Sequence, residues 1–194
     1  GIVELSIVLT LRPRDIPNAL CVLRMLLVAP VVWLLLAGEY AWVLVVFFLA
    51  GFTDGLDGFL AKRFDWRSRL GGILDPLADK LLLVTSFLTL GYIGLAPVWL
   101  LIMVVARDVI IVSGATAYRF LIGVFQASPT LVSKANSALQ LLYVLAAVAD
   151  AGFGIPGRPV VNVIGYAVLA TTVVSGIDYM VTWGLRAWRV RHPT

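Results

Sequence analysis

Six apolar stretches dominate this chain. Each is long enough, or nearly so, to cross a hydrocarbon core that takes about 20 helical residues to span. They run over residues 17–37, 40–61, 72–93, 97–120, 133–151 and 160–186. A segment in lipid must satisfy its own backbone hydrogen bonds, so each is read as a helix, and nothing shows the alternation of a barrel strand. Glycine, proline or charge marks every break: Gly38-Glu39, Lys62 to Arg69, Gly91 to Pro97, Gly123 to Pro129 and Gly152 to Pro159. Hydrophobic residues make up 61% of the 194 and charged ones 13%, where a soluble domain has about half and about a quarter. One small core cannot bury that excess, which argues against a soluble helical bundle. The expected fold is an all-α integral membrane protein with six transmembrane helices. No linker or repeat divides residues 1–194, so a single membrane domain is expected.

Charge sets the orientation. Of 15 lysines and arginines, Arg12, Arg14, Lys62, Arg63, Arg67, Arg69, Arg119, Lys134, Arg186, Arg189 and Arg191 fall on one side of the expected bilayer. Arg24, Lys80 and Arg107 lie within spans, and Arg158 alone falls opposite. The positive-inside rule then places both termini in the cytoplasm. Trp33, Trp42 and Trp99 fall near the outer interface, and Trp66, Trp183 and Trp188 near the inner one. Anionic lipid accounts for the net charge of +4, and no nucleic acid is needed. Residues 1–11 have neither the basic start nor the cleavage site of a signal peptide, and are read as a short N-terminal interfacial helix. Bacterial and mitochondrial inner membranes both fit this pattern, and the compact chain without a presequence leans toward the bacterial one. Cys21, in an apolar run, reads as a small core residue. Asp178 and Tyr179 read as interfacial, and His192 as part of a solvated tail.

Charges within spans cost about 2.5–3.5 kcal/mol each at the helix centre, yet acidic residues cluster at the cytoplasmic ends of the second and third spans. The pattern is Asp54-x2-Asp57-Gly58-x2-Ala61-Lys62-x8-Gly71-x3-Asp75-x3-Asp79. Helical residues three or four apart share a face, so Asp54 projects with Asp57 and Asp75 with Asp79. A short basic loop makes the two helices antiparallel neighbours, which lets the pairs face each other. Four carboxylates so close to lipid need counter-charge, and Lys80 alone is too little. Oxygen-only ligands favour Mg²⁺ or Mn²⁺. Two such ions bridged by carboxylates are a recurring device for phosphoryl displacement. Gly58 and Ala61 leave space beside that face for a bulky ligand. Gly71 and Gly72 serve either ligand clearance or packing. Asp79, the deeper of its pair, is the candidate general base. The opposing reading is a cation-binding or transport module without catalysis, which would put charge at mid-membrane.

These residues resemble the signature of the CDP-alcohol phosphatidyltransferase family, which has arginine at the position of Lys62. The resemblance implies a six-span homodimer working with two Mg²⁺ or Mn²⁺ ions. It implies that Asp54, Asp57 and Asp75 are metal ligands and that Asp79 is both ligand and base. It further implies that Asp57, Gly58, Ala61, Lys62 and Gly71 border the CDP moiety. Lysine at position 62 keeps the charge of arginine but loses its planar fork.

Ile16-Pro17-Asn18 through Arg24 and Pro30 is similar to the family's first span. Arg107-Asp108 and the run Pro129 to Gln140 resemble its eukaryotic-type cardiolipin synthase branch. That likeness implies CDP-diacylglycerol as donor and phosphatidylglycerol as acceptor. Related phosphatidylglycerophosphate synthases, which take glycerol-3-phosphate, usually carry Arg-Glu where this chain has Arg107-Asp108. Arg107, Lys134 and Arg119 are the candidates to meet the acceptor phosphate. The other reading is an Arg107–Asp108 structural pair, with Arg119 and Lys134 snorkelling to the interface. Arg24 reads either as a lipid-phosphate contact or as an ion pair to the aspartates.

Overall fold

The structure, a computed structural model, describes residues 16–63, 71–121 and 131–191. Within these helices the side chains of 16–18, 57–58, 60–62, 71–76, 115–121 and 183–191 fall outside the description. So do residues 1–11, where the interfacial helix is expected, together with Trp66 and His192.

Every regular element among the described residues is a helix: α1 (Ile16–Ala37), α2 (Tyr40–Arg63), α3 (Gly71–Tyr92), α4 (Val98–Leu121), α5 (Leu131–Phe153) and α6 (Arg158–Arg191). Three described stretches, Ala19–Ala37, Leu131–Phe153 and Arg158–Thr182, are long and apolar enough to cross a membrane.

Two glycines end helices in ways only they allow cheaply. Gly38 has φ +76°, and the Glu39 amide donates back to the Leu34 carbonyl at 2.9 Å, closing α1. Gly94 has φ +78°, and Leu95 donates to Leu90 at 2.9 Å, closing α3. Both are Schellman caps that satisfy carbonyls a helix end would otherwise leave bare. Pro97 follows, and α4 starts one residue later.

The chain divides into two compact units, Gly1–Ser86 and Phe87–Thr194. In the first, α1 packs on α2. Val31, Leu35, Val43, Phe47 and Ala50 are buried there, and so is Cys21. In the second, α6 packs against both α4 and α5. Leu100, Val104, Val144, Ala147, Val148, Val161 and Val168 are buried in it, and Phe87 stacks on Tyr143 with centroids 5.6 Å apart. Large apolar side chains such as Phe48, Phe52, Val109, Val112 and Val163 stay exposed. In water they would favour aggregation, whereas in a bilayer they face their proper solvent.

Tyr179 does more than mark an interface. Its hydroxyl donates to the Ile111 carbonyl of α4 at 2.9 Å. Gly114 makes the approach possible, since a Cβ there would lie 2.9 Å from Tyr179 Cε1.

Candidate functional site

In the first unit the helical backbone carries both acidic pairs. Asp54 and Asp57 lie on α2 and Asp75 and Asp79 on α3, each pair within one turn. The side chains of Asp57, Gly58, Ala61, Lys62, Gly71 and Asp75 lie outside the described residues. Those of Asp54 and Asp79 are described, and they meet on one cation. Arg24 of α1 is 1% exposed; its Nη1 lies 3.0 Å from Asp54 Oδ1 and donates to Asp79 Oδ1 at 2.6 Å. A guanidinium this buried needs anionic partners, and carboxylates from two other helices supply them. Of the two readings open for Arg24, the structure shows the ion pair to the aspartates.

The geometry also constrains the aspartates. Two oxygens bound to the same nitrogen cannot be further apart than those two distances together. The outer members of the acidic pattern, from α2 and α3, therefore converge around a single positive centre. Both carboxylates remain about half open, at 47% and 52%. Next to Asp54, a Cβ on Gly55 would meet no described atom within 4 Å. This arrangement, with oxygen donors only, an accessible face and an existing preference for positive charge, fits a hard divalent cation. Among the described residues no group of three His, Cys, Asp or Glu side chains converges, Asp57 and Asp75 lying outside them.

The second unit holds a buried cation. Arg107 of α4 is 5% exposed. Its Nη1 donates to Asp108 Oδ1 at 2.7 Å. Its Nη2 donates to Ser133 Oγ of α5 at 2.7 Å and to Ser175 Oγ of α6 at 2.6 Å, and its Nε to Ser175 Oγ at 3.2 Å. One guanidinium thus ties three helices and is fixed in orientation by two hydroxyls and a carboxylate. The Arg107–Asp108 pair exists, and its partners go well beyond Asp108. Lys134, next to Ser133, is exposed, and the side chain of Arg119 lies outside the described residues.

Ser175 has no place among the candidates read from the sequence. The signal for it is faint: Thr171, Thr172 and Ser175 form a hydroxyl-bearing strip on one face of an apolar helix. Asn136 meets the same strip, its Oδ1 accepting from Thr171 Oγ1 at 2.8 Å and from Thr172 Oγ1 at 3.0 Å. Asn136 and Gln140 are fully buried, and the Asn136 Nδ2, Gln140 Nε2 and Gln140 Oε1 atoms have no hydrogen-bond partner among the described residues.

The chain belongs to the CDP-alcohol phosphatidyltransferase family, which its residues 14–177 match. Membership and the long apolar helices together make it an integral membrane protein. Among its relatives is the cardiolipin synthase (CMP-forming) of Rattus norvegicus. The two are 34% identical over 184 residues, which is 87% of this chain and 61% of that protein. The Homo sapiens cardiolipin synthase (CMP-forming) matches at the same identity and coverage. That of Streptomyces coelicolor is 37% identical over 103 residues, 50% of this chain and 48% of the relative. The chain thus spans about three-fifths of the length of its mammalian relatives.

Proposed function

We propose that this chain transfers a phosphatidyl group from CDP-diacylglycerol to the free hydroxyl of phosphatidylglycerol, forming cardiolipin and releasing CMP. The observation that carries the proposal is the convergence of Asp54 and Asp79 around one positive charge, within a signature whose other members lie on the same two helices. The similarity to cardiolipin synthases supports the choice of acceptor.

In this reading Asp54, Asp57, Asp75 and Asp79 hold two divalent cations, Mg²⁺ or Mn²⁺. When bound, such ions neutralise a diphosphate and stabilise the leaving oxygen of an in-line displacement. Asp79 takes the proton of the attacking hydroxyl. As the new oxygen–phosphorus bond forms, the bond from phosphorus to the CMP oxygen breaks, and CMP leaves with the electron pair. Asp57 and Lys62 contact the CDP moiety, and Gly58, Ala61 and Gly71 leave room for it. Arg107, Lys134 and Arg119 meet the acceptor's phosphate. Ser133, Ser175 and Asp108 orient the Arg107 guanidinium for that contact.

All six helices cross the bilayer as one membrane domain, both termini and the acidic cluster face the cytoplasm, and the chain works as a homodimer. The placement of basic residues supports the orientation. The dimer follows from the family resemblance.

The test is turnover by purified protein given labelled CDP-diacylglycerol with each acceptor separately. Cardiolipin and CMP from phosphatidylglycerol are expected. Product with glycerol-3-phosphate alone would reject this acceptor in favour of phosphatidylglycerophosphate synthesis. Absence of CMP release from a metal-loaded, lipid-supplied preparation would favour the cation-transport reading.

A further inference from the structure

At the end of the second unit where α4 and α6 begin lies a cavity of about 180 Å³, lined by Pro97, Trp99, Tyr143, Asn162, Gly165 and Tyr166. It is remote from the Arg107 cluster: Tyr143 and Ser133, ten residues apart on α5, are separated by about 15 Å of helix rise. Neither the transfer chemistry nor the acceptor contacts involve it.

Its walls are built rather than incidental. Trp99 and Tyr166 stack with centroids 6.2 Å apart and form one side. The Tyr143 ring is gripped between Phe87, stacked at 5.6 Å, and the backbone of Gly165. A Cβ at Gly165 would lie 3.0 Å from Tyr143 Cε2, so a larger residue there would push the ring out of place. Tyr143 is 2% exposed and lines the cavity. Asn162 places an amide on the rim, one turn before Tyr166 on α6.

The chemistry of the lining selects its ligand. Among the described residues no charged side chain lines the cavity, so they offer neither a phosphate nor an ammonium group a counter-ion inside. Aromatic faces, phenols and an amide instead suit a neutral group that is apolar on its C–H faces and rich in hydroxyls. The volume of about 180 Å³ is roughly the liquid share of six waters, ample for a glycerol unit. Trp99, one residue into α4, is placed as an aromatic at headgroup depth in a bilayer is, and Tyr166 stacks on it. Arg158, one turn before Asn162 and 3.8 Å from Asp150, stands at the same end, where a lipid's phosphate would lie outside the cavity.

We propose that this cavity binds the glycerol headgroup of a phospholipid at the interface where α4 and α6 begin, as a lipid site separate from the reaction.

The test uses the purified full chain in nanodiscs with phosphatidylglycerol carrying a photoreactive diazirine on its headgroup glycerol. A phosphatidylethanolamine probe of the same acyl chains is the control, and labelled peptides are mapped by mass spectrometry. Labelling at Trp99 or Tyr166 is expected to exceed the control about fivefold, and Asn162→Leu should reduce it about fivefold, as befits loss of one or two hydrogen bonds. Unlabelled phosphatidylglycerol should compete and free glycerol at the same concentration should not. Equal labelling by both probes, no effect of Asn162→Leu, or competition by free glycerol would each overturn the assignment. Asn162 is exposed, so the variant should fold; unchanged helical circular dichroism checks this. The readout is the position of a cross-link rather than turnover, so it stands or falls apart from the transfer reaction.

Discussion

Replacing Arg24 with methionine isolates the electrostatics of the acidic cluster, because it removes the charge while keeping most of the buried aliphatic volume. The variant leaves Asp54 and Asp79 facing a site from which their shared cation has gone. Removing one partner of a fully buried ion pair costs about 3–5 kcal/mol, and removing one from an exposed pair about 0–1 kcal/mol. Here the cation is 1% exposed but the carboxylates are 47% and 52% exposed, so water recovers part of the loss. The expected destabilisation is about 2 kcal/mol, equivalent to a fall of about 4–8 °C in apparent Tm for a chain of this size. Thermal unfolding in detergent with EDTA measures it directly. Excess Mg²⁺ should then narrow the gap, because a divalent cation bound to the native carboxylates supplies the missing counter-charge and stabilises by mass action. An Arg24→Met protein as stable as wild type in EDTA would show that the ion pairs contribute nothing. A gap equally wide with and without Mg²⁺ would refute the idea that the same oxygens attract metal.

Further outcomes follow from the other buried groups. Asp79→Asn should lower CMP release by about 10²–10⁴-fold while the protein stays folded in detergent; near-normal release would remove Asp79 from the base role. Chelation should abolish turnover and Mg²⁺ or Mn²⁺ should restore it, whereas full activity in EDTA would contradict a divalent mechanism. Arg107→Ala should raise the apparent KM for acceptor more than for donor. Ser175→Ala should do the same by about fivefold, the value of one buried hydrogen bond; equal weakening toward both substrates would place Arg107 in packing alone. Gln140→Leu should leave apparent Tm unchanged or raise it, since the amide is buried with neither end partnered among the described residues and such a group costs about 1–3 kcal/mol. A loss of several degrees would mean that the amide is satisfied in the membrane.

Helix extents were legible in the sequence wherever the chain itself must change conformation. The stretch expected over 17–37 is Ile16–Ala37, and that over 72–93 is Gly71–Tyr92, because Gly38 and Gly94 take backbone conformations other residues avoid. The last helix departs most: its apolar run is expected to end at 186, yet α6 continues to Arg191. Arginines end the hydrophobic signal without ending a helix, since nothing in their backbone preference stops it once it leaves lipid.

Contacts made over long separations account for what the sequence kept hidden. Spacing places Asp54 with Asp57 and Asp75 with Asp79, because helical periodicity is a local property. It says nothing about which cation reaches them, and Arg24 is 55 residues from Asp79. The same holds for Arg107, whose hydroxyl partners lie 26 and 68 residues away. A serine in an apolar helix carries no sign of whether it bonds its own backbone, as Ser86 does, or a guanidinium on another helix. Lipid sharpens the difference, because a buried arginine there must find partners inside the protein. Each buried arginine is thus evidence that partners exist, and only the packing of the helices reveals which. For Arg24 they are members of the acidic signature, so the charge that steadies this cluster comes from a helix outside the motif.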